Sequence, residues 1–324
     1  MIAIVAIAVA AGAASALMFA SIMSGALISI VLFILAPLPL MVAAIGWGPL
    51  SAAIGGVAAA TVFGLLFGMP FAIAYAMTAA LPAWWLGHLA LLSRQIPNVT
   101  SGESAATAQA TTTEWYPPGR LLLWLAIIAA LLAFVTLLTI GTDSEAIAAA
   151  MKRGFTRMVR LFAMRGVAID EGAADSMAAL APAGAPIGPM ILLTLNLWLA
   201  GKIAVTSGRL NRPWPDLKST ALPPMTLVAL CVALAFCFTG GLLAVLAKVV
   251  AGALLAAYAL TGLAVLHTLT LALSNRTMWL VASYAVMIVL FWPLLAVVVL
   301  GVADAVFGLR ERFMRTRPPP LPAE

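Results

Sequence analysis

The sequence predicts an all-α, polytopic helical membrane protein, and three observations carry that prediction. Apolar residues make up 64% of the 324 positions, and charged residues make up only 9%. A soluble domain carries roughly 25% charge, because its large surface has to stay dispersed in water. The apolar residues also form near-continuous runs of about 20, the length that crosses ~30 Å of hydrocarbon as a helix. A transmembrane β-barrel would instead alternate polar and apolar residues over roughly ten-residue strands.

The apolar runs predict eight or nine transmembrane helices and no β-sheet. Together they form a single predicted transmembrane domain over residues 1–308. The predicted spans lie at about 1–21, 26–45, 49–67, 71–92, 120–141, 186–206, 223–246, 248–273 and 278–303.

Very short breaks join the first four predicted helices. Gly48 and Pro49 stand between the second and third helices, and Gly68 and Pro70 between the third and fourth. Gly and Pro punctuate helices, and breaks this short make neighbouring helices antiparallel. The first charged residue is Arg94, so the opening segment lacks the basic start of a cleaved signal peptide. We therefore expect the first third to be mature membrane domain.

Three polar segments are predicted to lie outside the hydrocarbon, namely residues 93–119, 142–185 and 207–222. The first is rich in Ser, Thr and Ala, which is typical of a flexible aqueous loop. The third is a short loop of basic and aromatic residues. Residues 309–324 form a basic, proline-rich C-terminal tail.

The second polar segment contains one amphipathic extramembrane helix, predicted over about 145–164. Apolar residues recur there at helical spacing, and basic residues fall largely on the other side. The apolar positions are Met151, Phe155, Met158 and Phe162. This pattern favours a helix at a lipid interface, with Arg153, Arg157 and Arg160 binding anionic lipid. A solvated helix with scattered charge is the alternative.

Signatures of catalysis are missing from the sequence. It has no HExxH, no G-x-S-x-G, no paired His/Cys metal spacing and no Walker loop. Asp304 stands at the end of the last predicted span, and no carboxylate lies well inside one, which argues against an ion-coupled carrier. We therefore expect no enzyme activity, no cofactor, no metal ion and no nucleic-acid partner.

Polar and aromatic residues within the spans are the best candidates for a ligand site. Asn196 and Trp198 stand in the sixth predicted helix, and Trp85 and His267 are lesser candidates in the fourth and eighth. An amide in hydrocarbon needs a partner, and an indole offers a flat face and one N–H donor. The structural alternatives are an interhelical hydrogen bond for Asn196, a lipid-facing Trp198, and an interfacial aromatic belt around Trp85.

Three stretches carry a resemblance to a known family. They are NLWLAGKIAVTSGRLNRPWPDLKSTALPP at 196–224, TGLAVLH at 261–267 and LGVADAVFGLRERF at 300–313. They resemble the YybS-like family of predicted bacterial membrane proteins, a family without an established activity. The helical layout of that family is similar to the substrate-binding subunits of energy-coupling-factor vitamin transporters and to MreD-like shape proteins.

The resemblance implies a subunit that binds a small molecule in a helical pocket and relies on separate ATPase and coupling subunits. Ala6, Ala10 and Ala14 would match the small-residue face that such subunits use for docking. It also implies a multi-pass protein of the bacterial inner (cytoplasmic) membrane, with the lipid bilayer as a partner.

Three functions remain open from the sequence. The first is a non-ATPase, transport-type subunit that binds a small solute. The alternative is a non-enzymatic membrane scaffold or assembly protein of the cell envelope. A membrane enzyme is the third and the least supported by the motifs. A polar pocket walled by the fourth, sixth and eighth helices would favour the first, and solid helix packing would favour the second.

Overall fold

The computed structural model describes residues 2–97, 111–164, 171–216, 220–290 and 292–315. Most of these residues are helical, which confirms the all-α prediction. The chain divides into two compact units. The first consists of Met1–Leu125 with Ile191–Pro215, and the second of Ala126–Met190 with Asp216–Glu324.

The helices confirm a polytopic membrane protein. Within the described ranges, seven helical segments are long and apolar enough to cross a membrane. An eighth is present if the bent pair near the C-terminus counts as one span. Among the described residues, the count reaches eight, the lower end of the predicted range, when the bent pair is taken as one span.

Six helices open the first unit, and Gly-Pro breaks separate several of them. Gly48 and Gly68 take positive φ angles of 97° and 91°, which L side chains rarely adopt. Pro49 and Pro70 occupy the first turns of the helices that follow, where a missing N–H costs nothing. The helices are α1 (Ile2–Ala20), α2 (Leu27–Ile34), α3 (Leu38–Trp47), α4 (Pro49–Phe67), α5 (Met69–Tyr75) and α6 (Leu81–Leu91).

Helices α1 and α4 pack with their backbones in contact. A Cβ atom added at Gly12 would overlap the Gly55 carbonyl, and one added at Gly55 would overlap the Ala8 carbonyl. Small residues allow this approach, and dispersion contacts then hold helices together in lipid. Ala8, Gly12 and Ser15 are the buried residues of α1.

The break between α2 and α3 is stabilised by side chains from elsewhere in the unit. Pro37 and Pro39 lack an N–H, so helical hydrogen bonds are lost around the turn at residues 35–37. The Ala36 carbonyl accepts a hydrogen bond from Ser15 Oγ at 2.7 Å, and Tyr75 Oη donates to that Ser15 Oγ at 2.8 Å. Backbone groups freed in a membrane helix need such partners.

A two-stranded antiparallel sheet contradicts the expectation that the chain has no sheet. Strand β1 (Ser93–Pro97) pairs with β2 (Thr111–Trp115), and Arg94 lies opposite Glu114. Their side chains form an exposed ion pair at 2.9 Å. Residues 93–97 and 111–115 of the predicted flexible loop are therefore ordered, since a Thr-rich segment suits strand pairing. Residues 98–110 of that loop lie outside the described residues.

Two helices, α7 (Pro118–Ile140) and α10 (Ile187–Thr206), have residues in both units. The second unit is otherwise built on α12 (Gly241–Leu269), which is 29 residues long. Its remaining helices are α8 (Ser144–Ala163), α9 (Glu171–Gly184), α11 (Met225–Phe236), α13 (Arg276–Leu290), α14 (Pro293–Phe307) and α15 (Leu309–Arg315).

Glycines set the packing around α12. A Cβ at Gly252 would overlap the Ala183 carbonyl of α9, and one at Gly262 would overlap the Val297 carbonyl of α14. A Cβ at Gly301 would likewise overlap the Tyr258 carbonyl. The helices of this unit therefore pack with backbone against backbone, as small residues permit in membranes.

The predicted amphipathic helix is confirmed as α8, within one residue of each predicted end. Asp143 caps it, because its carboxylate accepts a hydrogen bond from the Ala146 N–H at 2.7 Å. Ile147 is fully buried, and Met151 packs with it against α7 and α12. This contact fixes which side of α8 faces away from the bundle.

Helix boundaries in the last third differ from the prediction. Predicted spans 223–246 and 248–273 become a short α11 and a long α12, because the chain breaks at residues 237–240 rather than near 247. The predicted span 278–303 is interrupted before Pro293, which starts α14. The sixth span begins near Asp175 rather than 186, because α9 is apolar enough to extend it.

Candidate functional site

Asn196 lies fully buried in α10 and stabilises the α2–α3 break. Its Nδ2 donates to the Ile34 carbonyl at 3.0 Å and to the Leu192 carbonyl of its own helix at 2.8 Å. The Ile34 carbonyl is available because the Leu38 N–H bonds Leu35 instead. Asn196 Oδ1 is buried and has no hydrogen-bond partner in the described part of the chain. The amide thus links α10 to the end of α2, and its Oδ1 accepts no hydrogen bond from the described residues.

Trp198 lies in different surroundings from Asn196. The two positions are about 200° apart around a helix at ~100° per residue, and 44% of Trp198 is exposed. The Lys202 Nζ lies 5.9 Å from its ring centroid and 4.3 Å from that of Trp214. Trp198 therefore belongs to an exposed aromatic surface, and the structure does not bring it together with Asn196.

Further cation–π pairs surround the loop after α10. Arg209 lies over Trp47 at 5.2 Å, and Arg212 lies over Trp115 at 5.7 Å. The Arg212 Nη1 also donates to the Ala90 carbonyl at the end of α6, at 2.9 Å. Tryptophan with Lys and Arg at helix ends is typical of the membrane–water interface. This end of the first unit therefore has the composition of an interfacial belt.

Trp85 lies in a cluster of aromatic rings. Its ring meets Trp124 edge-on with centroids 5.0 Å apart, and His88 lies 6.0 Å away. The Trp85 Nε1 is buried and has no hydrogen-bond partner in the described ranges. The ring packing agrees with the interfacial alternative for this residue.

His267 belongs to the second unit, near the end of α12. Its Nε2 is hydrogen-bonded to Tyr284 Oη of α13 at 2.9 Å. The Arg276 guanidinium reaches the His267 carbonyl at 3.5 Å. These contacts attach α13 to α12.

A buried ion pair is the main polar feature of the second unit that the sequence did not predict. Asp304 on α14 and Arg310 on α15 are 8% and 9% exposed. Asp304 Oδ2 accepts from Arg310 Nε at 2.8 Å and from Nη2 at 2.6 Å. Arg310 Nη1 also donates to the Thr220 carbonyl at 2.9 Å. Gly308, in the left-handed conformation, bends the chain by 68° between the two helices and so brings these residues together.

Two of the cavities lined by described residues do not involve Asn196, Trp198, Trp85 or His267. One is an apolar groove of about 160 Å³ between α7 and α12, lined in part by Ala130, Phe134 and Leu246. The other lies on the basic face of α8. No group of three or more His, Cys, Asp or Glu residues capable of holding a metal ion occurs in the described part of the chain.

We expect Asn196→Ala to lower the free energy of unfolding by roughly 1–3 kcal/mol, because the Ile34 carbonyl would lose its partner in a buried site. Thr136→Ala is the matched control. Its hydroxyl bonds only its own helix at an exposed position, so its loss should cost under ~0.5 kcal/mol. Thermal unfolding in one detergent compares the variants with the wild type. A stable Asn196→Ala protein that loses solute uptake would instead assign Asn196 to a ligand.

Comparison with known proteins identifies no relative of this chain. No protein-family model matches the chain, and neither a curated protein nor a solved structure is significantly similar to it.

Proposed function

We propose that this integral membrane protein is a non-enzymatic, transport-type subunit that binds a small solute and works with separate ATPase and coupling subunits. The inner membrane of a bacterium is its expected location. The proposal rests on the resemblance of three stretches of the chain to YybS-like proteins. The observation that carries it is a small-residue face of α1 that no part of the described chain covers.

The two sides of α1 carry two different small-residue stripes. Ala8, Gly12 and Ser15 are buried, and Gly12 makes the backbone contact with α4. Ala6, Ala10 and Ala14 repeat at four-residue spacing on the opposite side and are exposed. The buried stripe already supports the fold, so the exposed stripe is available for a second helix. Small residues at this spacing let membrane helices approach closely, which suits docking of a membrane-embedded coupling subunit.

Asn196 supports the solute-binding part of the proposal. Its Oδ1 is buried without a partner, and an unsatisfied amide oxygen in hydrocarbon is costly. A solute that donates one hydrogen bond would satisfy it. Polar residues held inside a membrane domain often mark a substrate site for this reason.

Co-purification tests the docking face. We expect Ala10→Leu to reduce recovery of the ATPase and coupling subunits from native membranes by roughly tenfold or more, since a bulky side chain keeps the two helices apart. Ala229→Leu makes the same change at an exposed position of α11 and should leave recovery unchanged. The measurement is quantitative mass spectrometry after purification in mild detergent. Equal recovery with both variants would contradict the proposal.

A membrane scaffold is the second candidate function, and the helix packing favours it. At Gly12, Gly252 and Gly262 the helices pack backbone against backbone, and the two cavities described above do not include the predicted ligand residues. The same purification separates the two functions. Recovery of envelope-assembly proteins without any ATPase would support the scaffold and overturn the transport subunit.

A further inference from the structure

We propose that the basic face of α8 is a binding groove for the phosphate group of an anionic membrane lipid. The groove has a volume of about 560 Å³. Its lining residues all come from one side of α8 and are Ala149, Lys152, Arg153, Thr156, Arg157 and Arg160. Four cations and one hydroxyl therefore line an open groove along a single face of α8.

Packing on the opposite side holds α8 in place. Ile147 and Met151 are packed against Leu137 of α7 and Val249 of α12. Ile147 and Arg153 differ by six positions, which is about 240° around a helix. The contact that buries Ile147 therefore turns the arginines away from the bundle. A preformed cationic face loses less conformational freedom on binding than a mobile one.

The positive charge of the groove is largely unbalanced. Lys152 pairs with Asp175 of α9 at 2.8 Å, and both side chains are exposed. Within the described ranges, no carboxylate forms an ion pair with Arg153, Arg157 or Arg160. Arginine presents a planar fork of donors that matches phosphate oxygens bidentately. The groove thus offers three such forks to one anion.

The position of α8 in the chain identifies the source of the phosphate. α7 is long and apolar enough to cross the membrane and ends at Ile140, and α8 begins four positions later at Ser144. Four residue steps span at most ~14 Å, so the start of α8 lies close to the membrane surface. Leu161, Phe162 and Met164 are exposed near the other end of α8, where apolar side chains can enter the interface. A lipid headgroup is therefore the phosphate that reaches the groove most directly.

Lipid titration of the purified full chain tests the site. We compare fluorescent phosphatidylglycerol with fluorescent phosphatidylcholine for the wild type and for Arg153→Gln/Arg157→Gln/Arg160→Gln. The wild type should prefer phosphatidylglycerol, and the triple variant should bind it at least roughly tenfold more weakly, since each basic residue near an anionic surface contributes to binding. Phosphatidylcholine carries no net charge, so its binding should not change. The unfolding temperature should also stay the same, because these arginines are exposed.

A second triple variant controls for net charge. Arg94→Gln/Arg312→Gln/Arg315→Gln removes the same charge from exposed positions outside the groove and should keep the wild-type affinity. Equal losses in both triple variants, or no loss in the first, would overturn the proposal. Inorganic phosphate at millimolar concentration is the third arm. If it binds alone with the same dependence on the three groove arginines and displaces the lipid, the ligand is a soluble phosphate and the lipid assignment is wrong.

Discussion

Replacing Asp304 with alanine is expected to lower the free energy of unfolding by about 3–5 kcal/mol, the typical cost of leaving one member of a buried ion pair without its partner. Arg310 would remain in a site that is 9% exposed, and its neutral hydrogen-bond acceptors, such as the Thr220 carbonyl, would not balance its charge. The Arg310 N–H, which now donates to Asp304 Oδ1 at 2.9 Å, would also lose its acceptor. Equilibrium unfolding of the purified protein measures the effect.

An exposed ion pair on α15, the helix that carries Arg310, serves as the control. Glu311 and Arg315 lie 3.9 Å apart and are both exposed, so Glu311→Ala should change stability by under ~0.5 kcal/mol. Replacing Asp304 and Arg310 together with leucine should cost less than either single alanine variant, because no charge is then left buried. An Asp304→Ala protein as stable as Glu311→Ala would contradict a buried role for the pair.

Gly252→Ala is expected to destabilise the second unit by about 3 kcal/mol, the upper part of the range for overpacking a close-packed site. The new Cβ would overlap the Ala183 carbonyl of α9. A backbone atom cannot turn aside as a side chain can, so α9 and α12 would have to separate. The loss should appear as a lower unfolding temperature in the same detergent as the wild type.

Gly154→Ala is the matched control for this effect. Gly154 lies in the middle of α8 with no heavy atom near the position of an added Cβ. Alanine is favoured over glycine in a helix by about 1 kcal/mol, so this variant should be as stable as the wild type or more stable. Equal destabilisation by the two substitutions would mean that the Gly252 contact does not set the packing.

Hydrophobicity alone predicted most of the fold. Runs of apolar residues specify helices in lipid, because every backbone group must be satisfied within the segment. The amphipathic helix α8 was predicted within one residue of each end, because its apolar residues recur at helical spacing from Met151 to Phe162. Breaks within uniformly apolar stretches gave no such signal. The interruption before Pro293 and the early end of α11 at Phe236 were therefore missed.

Contacts between distant or irregular segments were harder to predict. Asp304 and Arg310 are six positions apart, so an unbroken helix would place them on different faces. Their pairing depends on the left-handed turn at Gly308. The FGLR sequence around that glycine contained the signal, because Gly is the common residue at such a helix end. The strand pairing of Arg94 with Glu114 was equally hidden within a Thr-rich segment.

Small residues were recognised in α1, but their partners were not. The sequence indicated Ala6, Ala10 and Ala14 as a docking face for another subunit, and the contact of α1 with α4 uses a second stripe that includes Ala8 and Gly12. An alanine-rich helix offers several stripes at the same spacing, and only the packed structure distinguishes them. For Asn196, the need for a partner was predicted correctly from hydrogen-bond energetics. The identity of that partner, the Ile34 carbonyl, depends on the break between α2 and α3.

Photo-crosslinking from α1 in native membranes tests the proposed role most directly. A photoreactive residue is placed at Ala10, on the exposed small-residue stripe, and in a second protein at Ala229 on α11. If the protein is a transport-type subunit, the probe at Ala10 should capture a membrane-embedded coupling subunit with an ATPase in the same complex. The probe at Ala229 should capture neither. Capture of lipid alone at Ala10, or of the same proteins from both positions, would contradict it.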